Sequence, residues 1–334
     1  MSEFTIHHGD ALAVLRGMPD SSVNCCVTSP PYYGLRDYGV DGQIGLEVTP
    51  DAYIANLVEV FRECKRILRD DGTLWVNIGD SYASNGDRAG MKLGAHPKGC
   101  QCSYCTMSTT GLPTRVPDGM KPKDLIGIPW MLAFALRADG WYLRSEIIWH
   151  KPNPMPESVK DRPTKAHEQI FLLSKSPKYF YDADAVKEPC SPANVADFKK
   201  RKTMDNKGNG DGSYEEARPD LCRSRDAYMP SDFLRNRRSV WTVTPKPYKE
   251  AHFATFPPDL IKPCILAGCP EGGTVLDPFG GSGTTAQVAI ENGRNAVLIE
   301  LNPDYIELIR KRLASVQQKH AIAPPLFAAC EVAA

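Results

Sequence analysis

Apolar and polar positions along this chain follow two spacings, and the spacing switches many times. In "FTIHHGDALAVL" an extended run turns at Gly9-Asp10 into a helix, and "VNCCVTSPP" reads as a short buried strand broken by two prolines. Ile54, Leu57, Val58, Phe61, Ile67 and Leu68 recur near the helical period until Asp71-Gly72 stops the pattern. "TLWVNIGDSY" is a third strand, and "PWMLAFALRADG" is a helix closed by Gly140. "WYLRSEIIWH" and "HEQIFLLSK" are strands separated by the proline-rich "KPNPMPESVKDRPT". Further on, "PPDLIKPCILAGCP" is a helix, "GTVLDPFGGSGTT" a strand and then a loop, and "AQVAIENG" a helix. "NAVLIELN" is a strand and "PDYIELIRKRLASVQQ" a last helix. Strands alternating with helices predict a mostly parallel α/β sheet with ligands at the strands' carboxyl ends.

Two stretches escape both periods. Residues 84–120 are rich in Gly, Lys and Cys and read as an inserted loop, and residues 190–240 are polar, charged and poorly periodic. An Ala- and Pro-rich tail follows the last helix. The expected organisation is therefore one domain in two parts, 1–189 and 241–316, with an insert at about 84–120, an interval at 190–240 and a tail at 317–334.

Composition changes this picture little. Hydrophobic residues make up 42% of the 334 and charged residues 24%, as in an ordinary globular protein. Lys plus Arg and Asp plus Glu are both 40, so any basic surface must be local. The start "MSEFTIHHGD" lacks the pattern of a signal peptide, and no apolar run approaches membrane-spanning length. Eleven cysteines, with Cys25 and Cys26 adjacent in a core strand, read as reduced thiols and predict a cytoplasmic protein. His96, Cys100, Cys102 and Cys105 offer zinc-ligand types within the insert. Their Cys-x-Cys-x-x-Cys spacing is tighter than paired Cys-x-x-Cys hooks, so reduced thiols and no metal are expected.

Two loops carry chemistry. "VLDPFGGSGTT", residues 275–285, places glycines between a buried strand and a helix, where backbone can approach a ligand and free N–H groups face it. No Gly-Lys-Ser/Thr follows, so it is not a phosphate-binding Walker loop. Asp277 at the strand end suits a cationic group, and Glu300 at the end of the next strand suits a ribose's hydroxyls. The other loop is "TSPPYYG", rigid and aromatic, with neither Lys nor His nor Glu to act as base or nucleophile.

"TSPPY" together with "DPFGGSGTT" resembles the DNA amino-methyltransferases, over roughly residues 4–185 and 240–315. The catalytic motif precedes the cofactor motif, an order that resembles the family's beta group. The resemblance implies a Rossmann-like methyltransferase fold: a mostly parallel seven-stranded sheet with one antiparallel strand and helices on both faces. It implies S-adenosyl-L-methionine as cofactor, double-stranded DNA as substrate, a homodimer, and target recognition by residues 190–240. Ser29, Pro30, Pro31 and Tyr32 match the catalytic motif. Asp277, Pro278, Phe279, Gly280, Gly281, Ser282, Gly283 and Thr284 match the cofactor loop, with Glu300, Leu301 and Asn302 beyond it. Asp10 resembles the acidic residue that contacts adenine, and Phe256 and Pro257 resemble contacts to the methionine end.

The loop's lack of an acid–base residue fits that chemistry. An exocyclic amino group is conjugated with its ring and nucleophilic only when its lone pair is localised. Ser29 Oγ and the Pro30 carbonyl are expected to accept its two N–H groups, with Pro31 keeping the preceding backbone extended. A base must be flipped out to reach such a pocket, and Tyr32 offers a face to stack it. Tyr33 is a second wall of that pocket or core packing, with packing favoured. Ser at the first motif position inclines the target towards cytosine N4, with adenine N6 as the alternative. "FKKRK" (198–202) and "RNRRS" (235–239) are expected to contact phosphates. Competing readings are an RNA or protein-amide methyltransferase and a non-catalytic DNA-binding protein.

Overall fold

The structure, a computed structural model, describes residues 2–83, 116–196, 233–245 and 256–322, apart from Arg36, Tyr38, Pro117, Asp118 and Asn194. Ten strands and six α-helices are present among the described residues: β1 Phe4–His8, α1 Ala11–Arg16, β2 Val23–Thr28, α2 Pro50–Ile67, β3 Leu68–Ile78, α3 Ile128–Ala138, β4 Tyr142–His150, β5 His167–Ser174, β6 Glu188–Pro189, β7 Leu234–Arg235, β8 Val240–Thr242, α4 Pro258–Gly268, β9 Thr274–Asp277, α5 Thr284–Glu291, β10 Asn295–Glu300 and α6 Pro303–Ile322. By contacts they divide into one unit of residues 1–181 and 239–334 and another of Asp182–Arg238.

The larger unit is built on an eight-stranded sheet in the order β1-β10-β9-β2-β3-β5-β4-β8. Neighbours are parallel throughout except that β5 runs antiparallel to both β3 and β4. The mixed α/β Rossmann-like architecture is the one expected, with its single antiparallel strand. The difference is an eighth strand, since β8 pairs with the edge of β4 through Ile148 to His150. Its three residues are too few to show a period of their own.

Local chemistry explains the elements. Thr49 caps α2 by accepting the Ala52 N–H at 3.2 Å, Pro50 opens the helix, and Lys65 and Arg66 lie in the last turn near the negative end of its dipole. The inner stripe Tyr53, Leu57, Phe61 and Cys64 is fully buried and joins α1, α3 and Cys26, Leu74, Val76 and Ile78 in one core. Strand residues alternate faces. On the opposite face Thr73 reaches the Gly268 carbonyl of α4, and α4, α5 and α6 pack in succession. Helices therefore cover both faces.

The insert begins and ends at one place. Tyr82 bridges Leu125, while Ala83 donates to the Asp124 carbonyl and accepts from Lys123, both at 2.8 Å. His96, Cys100, Cys102 and Cys105 lie outside the described residues, as does "FKKRK". In the smaller unit β6 pairs antiparallel with β7, and the Glu188 carboxylate accepts from Arg235 at 3.0 Å and Arg238 at 2.7 Å. Two arginines expected on phosphates are thus engaged with a carboxylate. Among the described residues no helix is long and apolar enough to cross a membrane.

Candidate active site

Six of the seven long strands point the same way, and the carboxyl ends of β1, β2, β9 and β10 open on one cavity of about 310 Å³. The strand order sets this arrangement. β2 and β9 are hydrogen-bonded neighbours although most of the chain separates them, so the two motif loops emerge side by side.

Asp277 ends β9 and is buried. Its carboxylate accepts the Thr28 hydroxyl at 2.6 Å, the Thr285 hydroxyl at 2.6 Å and the Phe279 N–H at 3.1 Å. Burial pushes its pKa up to about 6, against the pull of those hydrogen bonds. The residue expected to face a cation lines the cavity, and it also holds three protein donors on its two oxygens. It joins the end of β2 to the start of the glycine loop and to α5.

Glu300, at the end of β10, shapes the loop from the other side. One oxygen accepts Gly281 N–H at 2.7 Å and the other accepts Asn302 N–H at 2.8 Å. Burial raises its pKa, and the two N–H donors work the other way. Each oxygen has a second lone pair, so the carboxylate can still accept hydroxyls. Gly283 enters α5 at φ +79°, where a side chain would be strained and its Cβ would sit 3.2 Å from Ile309. Behind the loop the buried Arg312 of α6 donates to the Ser282 carbonyl at 2.8 Å, the Ser282 hydroxyl at 2.9 Å and the Thr284 hydroxyl at 2.7 Å. Asp10 caps α1 through the Ala13 N–H at 2.8 Å and lines the same cavity. Phe256, Pro278, Phe279, Gly280, Gly281, Ser282, Thr284, Leu301 and Asn302 line it as well; Pro257 and Gly283 do not.

This half of the cavity suits a neutral or cationic nucleoside better than a nucleotide. It presents the carboxylates of Asp10 and Glu300 beside glycine backbone and apolar rings. Lys151 is the sole lysine or arginine among the described lining residues, and it is paired with Glu168. A ribose fits the acceptors; a phosphate would meet no free cation among the described lining residues.

The other half is the "SPPY" loop. Ser29, Pro30, Pro31 and Tyr32 all line the cavity. The Tyr53 hydroxyl donates to the Pro31 carbonyl at 2.7 Å, and Gly34 donates to the Gly45 carbonyl at 2.8 Å, which hold the loop from outside. Tyr33 is buried, its ring 5.5 Å from that of Tyr53, as packing predicts. Tyr32 lies on the backbone of Gly79, where an added Cβ would come within 2.6 Å of the ring. Its hydroxyl donates to Glu168 at 2.7 Å. Burial first, and then the Glu168 carboxylate, hold its pKa well above the usual tyrosine value.

Trp149 of β4 and Lys151 just beyond it complete this half, in a stretch that the family resemblance sets beside the target pocket, together with Asn77 of β3 and Glu168 at the start of β5, which the sequence did not single out. Asn77 left a faint signal as an amide within the apolar run "LWVNI". Glu168 left none.

The DNA methylase family model matches residues 23–311, most of the chain. The chain is 49% identical to the type II methyltransferase M.Cfr9I of Citrobacter freundii over 92% of its own length and 87% of the relative's. It is 48% identical to the type II methyltransferase M.SmaI of Serratia marcescens, over 91% of this chain and 89% of that one. Among solved structures, PvuII DNA methyltransferase (cytosine-N4-specific) superposes with a TM-score of 0.60 at 16% identity, over 96% of this chain and 92% of that one. A putative DNA modification methylase from Thermus thermophilus, in complex with S-adenosyl-L-methionine, superposes with a TM-score of 0.54 at 23% identity, over 94% of this chain and 95% of that one. At such identities the last two likenesses are of fold. The family match, the two relatives and a cavity that joins the two motif loops carry one conclusion: this chain belongs to the DNA methylase family and is an S-adenosylmethionine-dependent DNA amino-methyltransferase.

Proposed function

We propose that this protein methylates N4 of cytosine in double-stranded DNA, at a base turned out of the helix into the "SPPY" half of the cavity. The observation that carries the reading is the union of the two motif loops in one cavity, with Thr28 and Asp277 joined where they meet. When bound, S-adenosylmethionine supplies a sulfonium-activated methyl group. Asp10 and Glu300 would accept the hydroxyls and amino group of its nucleoside, and Phe256, Pro278 and Phe279 would cover its apolar parts. Gly280, Gly281, Ser282 and Thr284 would bring backbone close to it, with Leu301 and Asn302 at the rim; Pro257 and Gly283, outside the lining, set the chain's path.

The residues of the catalytic loop make the amino group a nucleophile. Ser29 Oγ and the Pro30 carbonyl each accept one N–H, which localises the lone pair on nitrogen. Tyr32 presents a ring face to the base, and stacking there offsets part of the unstacking cost. No residue of the chain forms a covalent bond, and rate comes from position and electrostatics. A neutral Ser29 acceptor is the feature that inclines the reading to cytosine over adenine.

Residues 190–240 read the DNA sequence in this proposal, all but the last two of them within the compact unit Asp182–Arg238. The similar type II methyltransferases support a role as the modification enzyme of a restriction–modification pair; the reduced-thiol reading of the cysteines adds the cytoplasm, and the family resemblance a homodimer. The test is nucleoside mass spectrometry of DNA from a methylation-free host expressing the chain. N4-methylcytosine is expected. N6-methyladenine alone would overturn the base, and unmodified DNA would overturn the reading.

A further inference from the structure

We propose that Glu168 is a positioning residue, a lock that holds the Tyr32 ring in the tilt a flipped base needs, with Lys151 as its counter-charge. This rests on the reading that Tyr32 stacks on the target base.

The Tyr32 hydroxyl is already engaged, at 3.5 Å from Asn77 Oδ1 and hydrogen-bonded with the Ser29 side chain, and its short bond goes to Glu168. It donates to one oxygen of the Glu168 carboxylate at 2.7 Å, a charge-assisted bond, and stays protonated because burial and that carboxylate oppose its ionisation. Lys151 pairs with the other oxygen. Asn77 donates its amide N–H groups to Glu168 at 3.3 Å and to the Gln169 carbonyl at 3.2 Å, so the carboxylate is steered from β3 as well as from β5. Lys151 in turn lies over the Trp149 ring, 4.2 Å from its centroid, and the Trp149 indole is tied to the Val243 carbonyl at 2.8 Å. A side-chain exposure of 15% for Glu168 and 21% for Lys151 leaves neither group well solvated, so each needs the other.

Two constraints therefore act on one ring: Gly79 beneath it and Glu168 at its hydroxyl end. Substrate meets only the face. Any aromatic residue would supply a face, but tyrosine supplies one whose orientation is fixed before the base arrives. Pre-ordering of that kind speeds turnover and leaves cofactor affinity alone.

Wild-type protein is compared with E168Q, E168L, Y32F, Y32A and the double variant Y32F/E168L. Turnover and KM are measured on duplex DNA from a methylation-free host, with cofactor affinity by calorimetry. Removing the bond from either end should slow turnover about 10- to 30-fold in Y32F and in E168L. Cofactor affinity should stay within about twofold in both, as expected for a group that acts only on the base. The double variant should be no slower than the slower single variant, since both break the same Tyr32–Glu168 bond and only E168L also releases Lys151 and Asn77. E168Q, whose amide oxygen still accepts the hydroxyl, should recover most of the turnover. Y32F removes one oxygen and keeps the ring, so an unchanged Y32F sinks the lock even if E168L fails to fold, while recovery in E168Q separates the Glu168 bond from the hydroxyl's contact with Ser29. Wild-type turnover in Y32F, or losses that multiply in the double variant, would overturn the lock. Y32A separates the two ideas: wild-type turnover there removes the stacking role itself, whereas an inactive Y32A beside a normal Y32F removes the lock alone.

Discussion

Thr28 and Asp277 stand 249 positions apart in the chain and share a hydrogen bond of 2.6 Å. Thr28 directly precedes the catalytic Ser-Pro-Pro-Tyr, and Asp277 opens the cofactor loop. The bond fastens the Ser-Pro-Pro-Tyr loop to the glycine loop, so the loops proposed to hold base and cofactor are referred to one buried carboxylate.

That carboxylate makes stability depend on pH. Its folded-state pKa of about 6 lies above the ordinary aspartate value of 3.8, so the fold favours the protonated form. The folded state binds more protons than the unfolded one between those values, and stability falls as pH rises through that window. Ionised Asp277 then costs the fold about 3 kcal/mol at neutral pH. Urea unfolding of wild type and Asp277→Asn at pH 7.5 and 5 should show wild type gaining on the order of 1 kcal/mol more than the variant on acidification. Equal gains would mean that Asp277 is already ionised in both states.

Tyr32→Ala removes the stacking face. With about 1–3 kcal/mol at stake per stacked base, kcat/KM for duplex DNA should fall about 10- to 100-fold. Calorimetric affinity for S-adenosylmethionine should hardly change. An equal loss of both would refute the division of labour between Tyr32 and the glycine loop.

Glu300→Ala has the opposite signature. It leaves Gly281 and Asn302 N–H groups without their acceptor and takes away a ribose partner. Cofactor affinity should weaken about tenfold or more, from roughly 1.5–3 kcal/mol per hydrogen bond to a charged group. DNA binding measured without cofactor should stay as in wild type.

Gly79→Ala tests the ring's seat from below. The new Cβ would come within 2.6 Å of Tyr32, too close to stay, and the loop should yield before β3 does. A stability loss of about 1–3 kcal/mol is expected by thermal or urea unfolding, as for other overpacked sites. Turnover should fall further than stability alone explains, because Tyr32 is displaced. A fully active variant would show that the ring's position is not critical.

Much of this was legible along the chain. The apolar stripe of α2, its Thr49-Pro50 start, the broken strand at Ser29 and the glycine run after Asp277 are local patterns, and local patterns follow from backbone sterics and side-chain period. Asp277 shows the limit. Its place at a strand end was readable, but its two threonine partners come from β2 and α5, so its use as a brace was not.

The sequence by itself determined the alternation of strands and helices, the two motif loops and the family they resemble, since each depends on residues close together in the chain. Tertiary structure decided which strands are neighbours, and so that β2 and β9 bring those loops together. It also decided that β5 runs against the sheet. Reversal brings the amino end of β5 to the edge where the other strands place their carboxyl ends, and that is how Glu168 comes to meet Tyr32, 136 positions away. A strand's direction is set by its pairing partners and leaves no mark on its own period of two.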